Sequence, residues 1–146
     1  MLRGRFGDTT GAPQIEGRLL IPRLKINGHV SFLVDTGADT TTLMPMDGAW
    51  LGLDYSKLRN AAKAIGVGGL ATLYKEPAFL VFSEPRTKNY LYSIDISVLE
   101  PKPATSKTPS LLGRDILNRW RMSYNATTKR LFFKVLSADA TQAVPK

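Results

Sequence analysis

The sequence contains no cysteine and a single histidine, His29. The absence of cysteine excludes disulfide bonds, a thiolate nucleophile and zinc sites built on cysteine. One histidine leaves little for a histidine-rich metal centre. We expect neither a metal ion nor an organic cofactor. No apolar run approaches the roughly 18 residues that a membrane-spanning helix requires, and we expect no membrane span.

Acidic residues are also scarce, since 12 Asp and Glu stand against 20 Lys and Arg for a net charge of +8. Such a balance favours anionic partners. Basic residues cluster over positions 114–130, with Trp120 and Tyr124 among them. A solvated basic face with core aromatics explains this cluster better than a nucleic-acid site does, so we do not expect nucleic acid as a partner.

The apolar content is sufficient for a core, because 43% of the 146 residues are hydrophobic. One globular domain is therefore expected. We divide the chain into a loose basic arm (1–12), a folded domain (13–136) and a tail (137–146). The arm has the positive charge of a signal peptide but lacks its apolar core. We expect a cytoplasmic protein, or a domain cut from a longer one whose compartment the sequence leaves open.

The first half of the folded domain begins with a strand-like pattern. Residues 15–35 alternate in part, and the pair Asn27-Gly28 predicts a hairpin turn that returns the chain to Asp35. Residues 47–58 have room for one short helix. We therefore expect Asp35 to lie at the end of a β-hairpin.

The second half continues in the same way. Residues 61–82 predict two strands around a glycine-rich tip, and residues 90–99 predict another strand. Ser110 is a candidate N-cap for a helix over 111–120, and a hairpin is expected across 125–130. About seven or eight strands and one or two helices favour a small all-β barrel or sandwich.

One triplet in this pattern can carry chemistry. Asp35-Thr36-Gly37 follows the apolar residues 32–34, where a strand ends in a turn. This placement presents a carboxylate at the edge of a rigid sheet. The plain alternative is a polar turn, because a three-residue motif alone has low specificity.

A second motif later in the chain makes the functional interpretation of Asp35-Thr36-Gly37 more specific. It is an apolar pair, a glycine and an Arg-Asp pair at a helix start: Leu111-Leu112-Gly113-Arg114-Asp115. With Asp-Thr-Gly-Ala first, the glycine-rich hairpin next and this motif last, the chain resembles the retropepsins over residues 15–124. These are the single-domain aspartic proteases of retroviruses and retroelements, with relatives in cellular genomes.

The resemblance implies a mainly β fold: a small closed β-barrel of the acid protease type with one short C-proximal helix, assembled as a homodimer. It makes Asp35 the catalytic aspartate. The Thr36 hydroxyl would bond across the dimer to hold the two active-site loops together. Gly37 would allow the backbone to approach the substrate closely.

The resemblance also assigns substrate-binding and supporting residues. Ala38 and Asp39 would contact substrate, and an Asp39–Arg114 ion pair, bidentate in principle, would brace the active-site loop against the helix that begins after Gly113. The flap that closes over a bound peptide would have its tip at Ile65, Gly66, Val67, Gly68 and Gly69.

The implied activity is that of an aspartic endopeptidase acting on peptides or proteins. Its mechanism requires two carboxylates, one ionised to activate water and one protonated to polarise the scissile carbonyl. The chain has one Asp-Thr-Gly motif, so the second aspartate would come from a second copy. In viral members the terminal strands interleave at the dimer interface, but residues 1–12 have no clear counterpart there.

Other interpretations are weaker. Residues 66–71 also fit a G-x-G-x-x-A dinucleotide pattern, but a β-prone stretch follows instead of a helix. A Ser-His-Asp triad would need His29, which we expect to be exposed in the hairpin. Asp95 and Asp115 could be solvent-facing or paired, and we assign neither to catalysis. The alternative function is a catalytically weak retropepsin-like domain that binds protein or nucleic acid.

Overall fold

The computed structural model describes residues 1–66 and 69–144, and of residues 64–66 only the backbone. The described helices are short: α1 (Pro45–Trp50) and α2 (Arg114–Leu117), with 3-10 turns at Pro22–Leu24, Tyr55–Lys57 and Pro103–Thr105. The described strands are β1 (Leu2–Arg3), β2 (Arg5–Phe6), β3 (Pro13–Ile21), β4 (Ile26–Val34), β5 (Thr42–Leu43), β6 (Ala61–Gly66), β7 (Gly69–Glu84), β8 (Lys88–Leu99), β9 (Leu111–Leu112), β10 (Trp120–Asn125), β11 (Arg130–Val135) and β12 (Ala140–Ala143).

Six of these strands form a closed barrel. Around the ring the order is β8, β5, β9, β4, β3 and β7, and pairing between β7 and β8 closes it. The pairs β4–β9 and β5–β8 are parallel, and the other neighbours are antiparallel. A second sheet has the order β1, β11, β10. The predicted mainly β barrel is confirmed.

The barrel interior follows from alternating apolar residues. Leu19 and Ile21 on β3, and Phe32 on β4, are fully buried. Gly17 faces the same interior, where an added Cβ would lie 2.7 Å from the ring of Phe82. Glycine at this position therefore gives the aromatic ring its space.

An aromatic cluster joins the barrel to the second sheet. The indole Nε1 of Trp120 donates to the hydroxyl of Tyr92 at 2.7 Å, and that hydroxyl donates to the Ser137 carbonyl oxygen at 2.8 Å. Burial raises the pKa of Tyr92, which keeps the phenol neutral and able to donate. The expected core position is confirmed for Trp120 but is wrong for Tyr124, whose side chain is 52% exposed.

The predicted turn at Asn27-Gly28 is wrong. Both residues lie within β4, and the hairpin closes instead at Pro22–Leu24 and Lys25, whose φ is 56°. An added Cβ on Gly28 would lie 2.4 Å from a methyl carbon of Leu51. Because Gly28 has no side chain, Leu51 can pack against it, and this tertiary contact outweighs the local preference of Asn27-Gly28 for a turn.

Both predicted helices are shorter than expected. The segment 47–58 holds the end of α1 and a separate 3-10 turn, and the segment 111–120 holds only α2, preceded by β9. Ser110 is not an N-cap: its hydroxyl donates to Asp47 Oδ2 at 2.6 Å and accepts from the Met44 amide at 2.9 Å. Residues 111–112 form a strand and not a helix because they pair with β4 and β5.

The terminal segments also differ from the expectation of a loose arm and a tail. Leu2 is 1% exposed, β1 pairs with β11, and β2 pairs with β3. Near the other end β12 pairs with β8. The apolar side chain of Leu2 and the free edges beside it explain why the arm is ordered.

Within residues 1–66 and 69–144, neither helix has the length and apolarity needed to cross a membrane.

Candidate active site

Asp35 lies directly after β4, where the parallel pairing with β9 fixes the backbone. Its amide donates to the Leu112 carbonyl oxygen at 3.1 Å, continuing the register in which Val34 faces Leu112. The side chain is half-buried. A buried strand pair thus holds the residue at the end of the sheet, as the sequence predicted.

The Asp-Thr-Gly triplet forms a tight turn around this carboxylate. The Gly37 amide donates to Asp35 Oδ1 at 3.0 Å, and the Ala38 amide donates to the Asp35 carbonyl oxygen at 3.2 Å. Of the groups that the structure describes, only the Gly37 amide donates to the carboxylate. The remaining acceptor positions of the carboxylate receive no hydrogen bond from the described part of the chain, which leaves them for water or substrate.

Arg114 braces this turn from α2. Its Nη1 donates to the Thr36 carbonyl oxygen at 2.7 Å, while Nη2 forms an ion pair with Asp39. The predicted ion pair is confirmed, but it is not bidentate. Of the two terminal nitrogens, Nη1 contacts the turn backbone and only Nη2 contacts the carboxylate. The Asp39 side chain is 85% exposed. The ion pair therefore mainly fixes the position of the loop and contributes little to the free energy of unfolding.

Gly113 allows α2 to approach the same loop closely. An added Cβ would lie 2.5 Å from the Thr40 carbonyl carbon and 2.8 Å from the Thr41 nitrogen, closer than such atoms approach. The Arg114 amide then donates to the Ala38 carbonyl oxygen at 2.9 Å. Direct backbone contact between helix and loop therefore requires glycine here.

A second brace was not predicted from the sequence. The Asp115 carboxylate accepts from the Thr41 amide at 3.0 Å and from the Thr41 hydroxyl at 2.7 Å. Thr41 is fully buried, and its hydroxyl oxygen also accepts from the Gly113 amide at 3.2 Å. Of the two options left open for Asp115, pairing is the one observed. The only sequence signal was its position beside Arg114.

A lysine also lies beside the loop. Lys75 on β7 donates to the Ser97 hydroxyl at 2.5 Å and approaches the Thr40 hydroxyl at 3.4 Å, and these two hydroxyls are 2.9 Å apart. Ser97 is fully buried. No motif marked these residues, because the contact joins three separate strands and loops.

The hairpin predicted around the glycine-rich tip is formed by β6 and β7. Ile65 faces Leu70 and Gly66 faces Gly69 in its register, and Gly69 has a φ of 101°. Val67 and Gly68 lie outside the described residues. The hairpin extends from the barrel, since β6 pairs with β7 alone among the strands described.

The site, as far as the structure describes the chain, contains no cluster of three or more His, Asp and Glu side chains arranged to hold a metal ion. It consists of one half-buried carboxylate in a turn fixed by a strand pair and by α2. Such a group can accept a proton from, or donate one to, a molecule bound above it.

Comparisons with known proteins support the fold. No protein-family model matches the sequence, and no curated protein gives a significant match. A retropepsin-like aspartic protease from Rickettsia conorii is similar with a TM-score of 0.59 and 19% identity, covering 88% of this chain and 94% of that chain. The EIAV protease complexed with the inhibitor HBY-793 is similar with a TM-score of 0.52 and 20% identity, covering 77% and 90%. Together with the closed six-stranded barrel, these similarities show that the chain has a retropepsin-like fold.

Proposed function

We propose that this protein is an aspartic endopeptidase that acts as a homodimer through Asp35 of each copy. The observation that carries the proposal is the Asp-Thr-Gly turn, in which the Gly37 amide donates to the Asp35 carboxylate and Arg114 holds the turn backbone in place. The fold shared with two aspartic proteases supports the same reaction.

The chemistry needs a pair of carboxylates. Two carboxylates about 3 Å apart, as in aspartic proteases, cannot both ionise, so the pair shares one proton. The ionised Asp35 removes a proton from water, and the water oxygen attacks the scissile carbonyl carbon. The protonated Asp35 donates to the carbonyl oxygen, and proton transfer to the amide nitrogen then releases the amine. No other reactant is consumed.

The supporting residues have separate roles in this proposal. Thr36 contacts the equivalent loop of the second copy, and Gly37, Ala38 and Asp39 border the peptide. The β6–β7 hairpin, with Ile65, Gly66, Val67, Gly68 and Gly69 at its tip, closes over the substrate and excludes water. Gly113 and Arg114 position the turn without contacting the reacting atoms.

A peptide-library digestion read by mass spectrometry tests the proposal, at pH values between roughly 4 and 7 where a shared proton permits activity. We expect wild-type protein to cleave and Asp35→Asn to be silent. Asp8→Asn is the matched control, because Asp8 is exposed and forms no ion pair among the described residues. Cleavage by Asp35→Asn at the wild-type rate would refute the mechanism. A folded, dimeric wild-type protein without cleavage would favour a binding domain instead.

A further inference from the structure

Lys75 on β7 carries a positive charge beside the loop that follows the Asp-Thr-Gly turn. Its Nζ donates to the Ser97 hydroxyl at 2.5 Å and approaches the Thr40 hydroxyl at 3.4 Å. Ser97 is fully buried, whereas Lys75 is half-buried. Thr40 directly follows Asp39, so the ammonium lies at one side of the loop that carries Asp35.

The contact with Thr40 shows which face of the β6–β7 hairpin is turned towards the active-site loop. Side chains alternate between the two faces of a strand, so Leu73 shares the face of Lys75. Lys63 opposes Thr72 on the other face, where its Nζ donates to the Thr72 hydroxyl at 2.9 Å. A peptide bound between the hairpin and the loop therefore meets Lys75 and not Lys63.

Lys75 forms no ion pair among the described residues, whereas Arg23 pairs with the buried Glu76 and Arg114 pairs with Asp39. The two hydroxyls that Lys75 contacts are neutral, and an ammonium has three N–H groups. A half-buried charge without a counter-charge is costly, because burial removes part of its hydration. The position therefore favours an incoming anion.

We propose that Lys75 binds an acidic side chain of the substrate, so that the protein selects peptides with Asp or Glu at a position away from the scissile bond. The Nζ of Lys75 donates its third N–H to the substrate carboxylate. Each of the two copies supplies one Lys75, so the preference is expected on both sides of the scissile bond. This inference rests on the proposed function and adds the class of substrate to it.

The charges around the hairpin favour the same substrate. The Asp39 carboxylate is already paired with Arg114, and Glu100 is paired with Lys102 at 3.6 Å. Lys102 also donates to the Leu70 carbonyl oxygen of the hairpin. Because the whole chain has a net charge of +8, its field attracts an acidic peptide and repels a basic one.

Lys75 is held in place before a substrate binds. Ser97 lies opposite it in the β7–β8 register, and the Ser97 amide donates to the Thr41 carbonyl oxygen at 3.0 Å. A charge fixed in this way loses little conformational freedom when a partner arrives, which favours binding. A lysine that only joined β7 to the loop would affect stability and leave the choice of substrate unchanged.

Substrate selection tests the proposal directly. Wild type, Lys75→Met and Lys75→Arg digest a randomised peptide library, and mass spectrometry identifies the residues on each side of the cleaved bonds. We expect wild type to prefer Asp and Glu over the amides Asn and Gln on the order of tenfold, because hydrogen bonds between charged groups are the stronger ones. Lys75→Met should lose this preference, and Lys75→Arg should retain most of it.

Lys63→Met is the matched control, since it removes the same charge from the opposite face of the hairpin. Its ratio of acidic to amide residues at the cleaved sites should stay at the wild-type value. An equal fall of this ratio in Lys63→Met and Lys75→Met would overturn the direct contact. A thermal melt checks folding, and Lys75→Gln, which keeps N–H donors for Ser97 and Thr40 without the charge, gives the same readout where Lys75→Met does not fold.

The outcomes separate this inference from the proposed function. Asp35-dependent cleavage without a preference for acidic side chains, or with a preference that Lys75→Met retains, overturns the inference and keeps the protease. Where a folded wild-type dimer cleaves nothing, binding of the same library to the immobilised protein decides. Bound peptides enriched in Asp and Glu for wild type but not for Lys75→Met support the Lys75 site while the protease fails. Absence of this enrichment overturns both.

Discussion

Arg114 and Thr36 are 78 positions apart, yet the Arg114 Nη1 donates to the Thr36 carbonyl oxygen at 2.7 Å. The same guanidinium pairs with Asp39, so one side chain fixes the turn that carries Asp35 from two sides. The carbonyl contact and the ion pair require the forked geometry of arginine, which a lysine ammonium does not reproduce.

Arg114→Lys should therefore reduce catalysis more than stability. We expect kcat to fall on the order of tenfold or more, because small displacements of reacting groups are costly. The melting temperature should change little, since the Asp39 carboxylate is largely exposed. Steady-state kinetics with a cleaved peptide and a thermal melt measure the two effects.

Arg130→Lys is the control for this substitution, because Arg130 is exposed and forms no ion pair among the described residues. It should leave both kcat and the melting temperature at the wild-type level. A kcat for Arg114→Lys equal to that of Arg130→Lys would show that the brace is dispensable.

Gly113→Ala should destabilise the fold. The added Cβ would meet the backbone of Thr40 and Thr41, at 2.5 Å and 2.8 Å, and neither backbone can rotate away. We expect the free energy of unfolding to fall by about 1–3 kcal/mol, as for other overpacked sites. Urea denaturation measures it.

Gly7→Ala is a matched glycine control. Its added Cβ would meet the flexible side chain of Gln14, at 3.2 Å, which can move aside. The expected change is within about 0.5 kcal/mol. Equal losses for the two substitutions would mean that the close approach at Gly113 is not the cause.

Asp139 should make the docking of β12 dependent on pH. A hydrogen bond from the Ser93 amide, and then the pairing with Arg119, hold the pKa of Asp139 below its usual range. A carboxyl group with a depressed pKa in the folded state stabilises that state above its unfolded pKa, and this contribution is lost as the pH falls through the folded value.

Urea denaturation of wild type and Asp139→Asn between roughly pH 6 and 2 measures this contribution. The wild type should be more stable at the upper end, and the difference should shrink towards the lower end. A difference that stays constant over the whole range would mean that the charge of Asp139 does not stabilise the fold.

The sequence predicted an all-β fold and the position of Asp35 because both are encoded in local patterns. An apolar strand followed by Asp-Thr-Gly placed Asp35 at a strand end. The glycine-rich hairpin likewise followed from residue types that favour a turn between two strands. The closed barrel and the Asp39–Arg114 contact were expected from the resemblance to the retropepsins.

The features that the sequence did not predict depend on contacts between distant segments. Asn27-Gly28 lies in a strand because Leu51 occupies the space above Gly28. Asp115 and Thr41 form a brace over a separation of 74 positions. Leu2 is buried because β1 pairs with the edge of β11. None of these contacts leaves a periodic signal in the chain.

The most direct test of the central claim is activity in mixtures of wild type and Asp35→Asn at fixed total concentration, after subunit exchange. If each site needs Asp35 from two copies, an equal mixture retains about one quarter of the wild-type activity, because only that share of randomly assembled dimers has both carboxylates. An equal mixture with Asp8→Asn should retain full activity. About one half of the activity in the Asp35→Asn mixture would mean that each chain acts alone, and this would contradict the shared site.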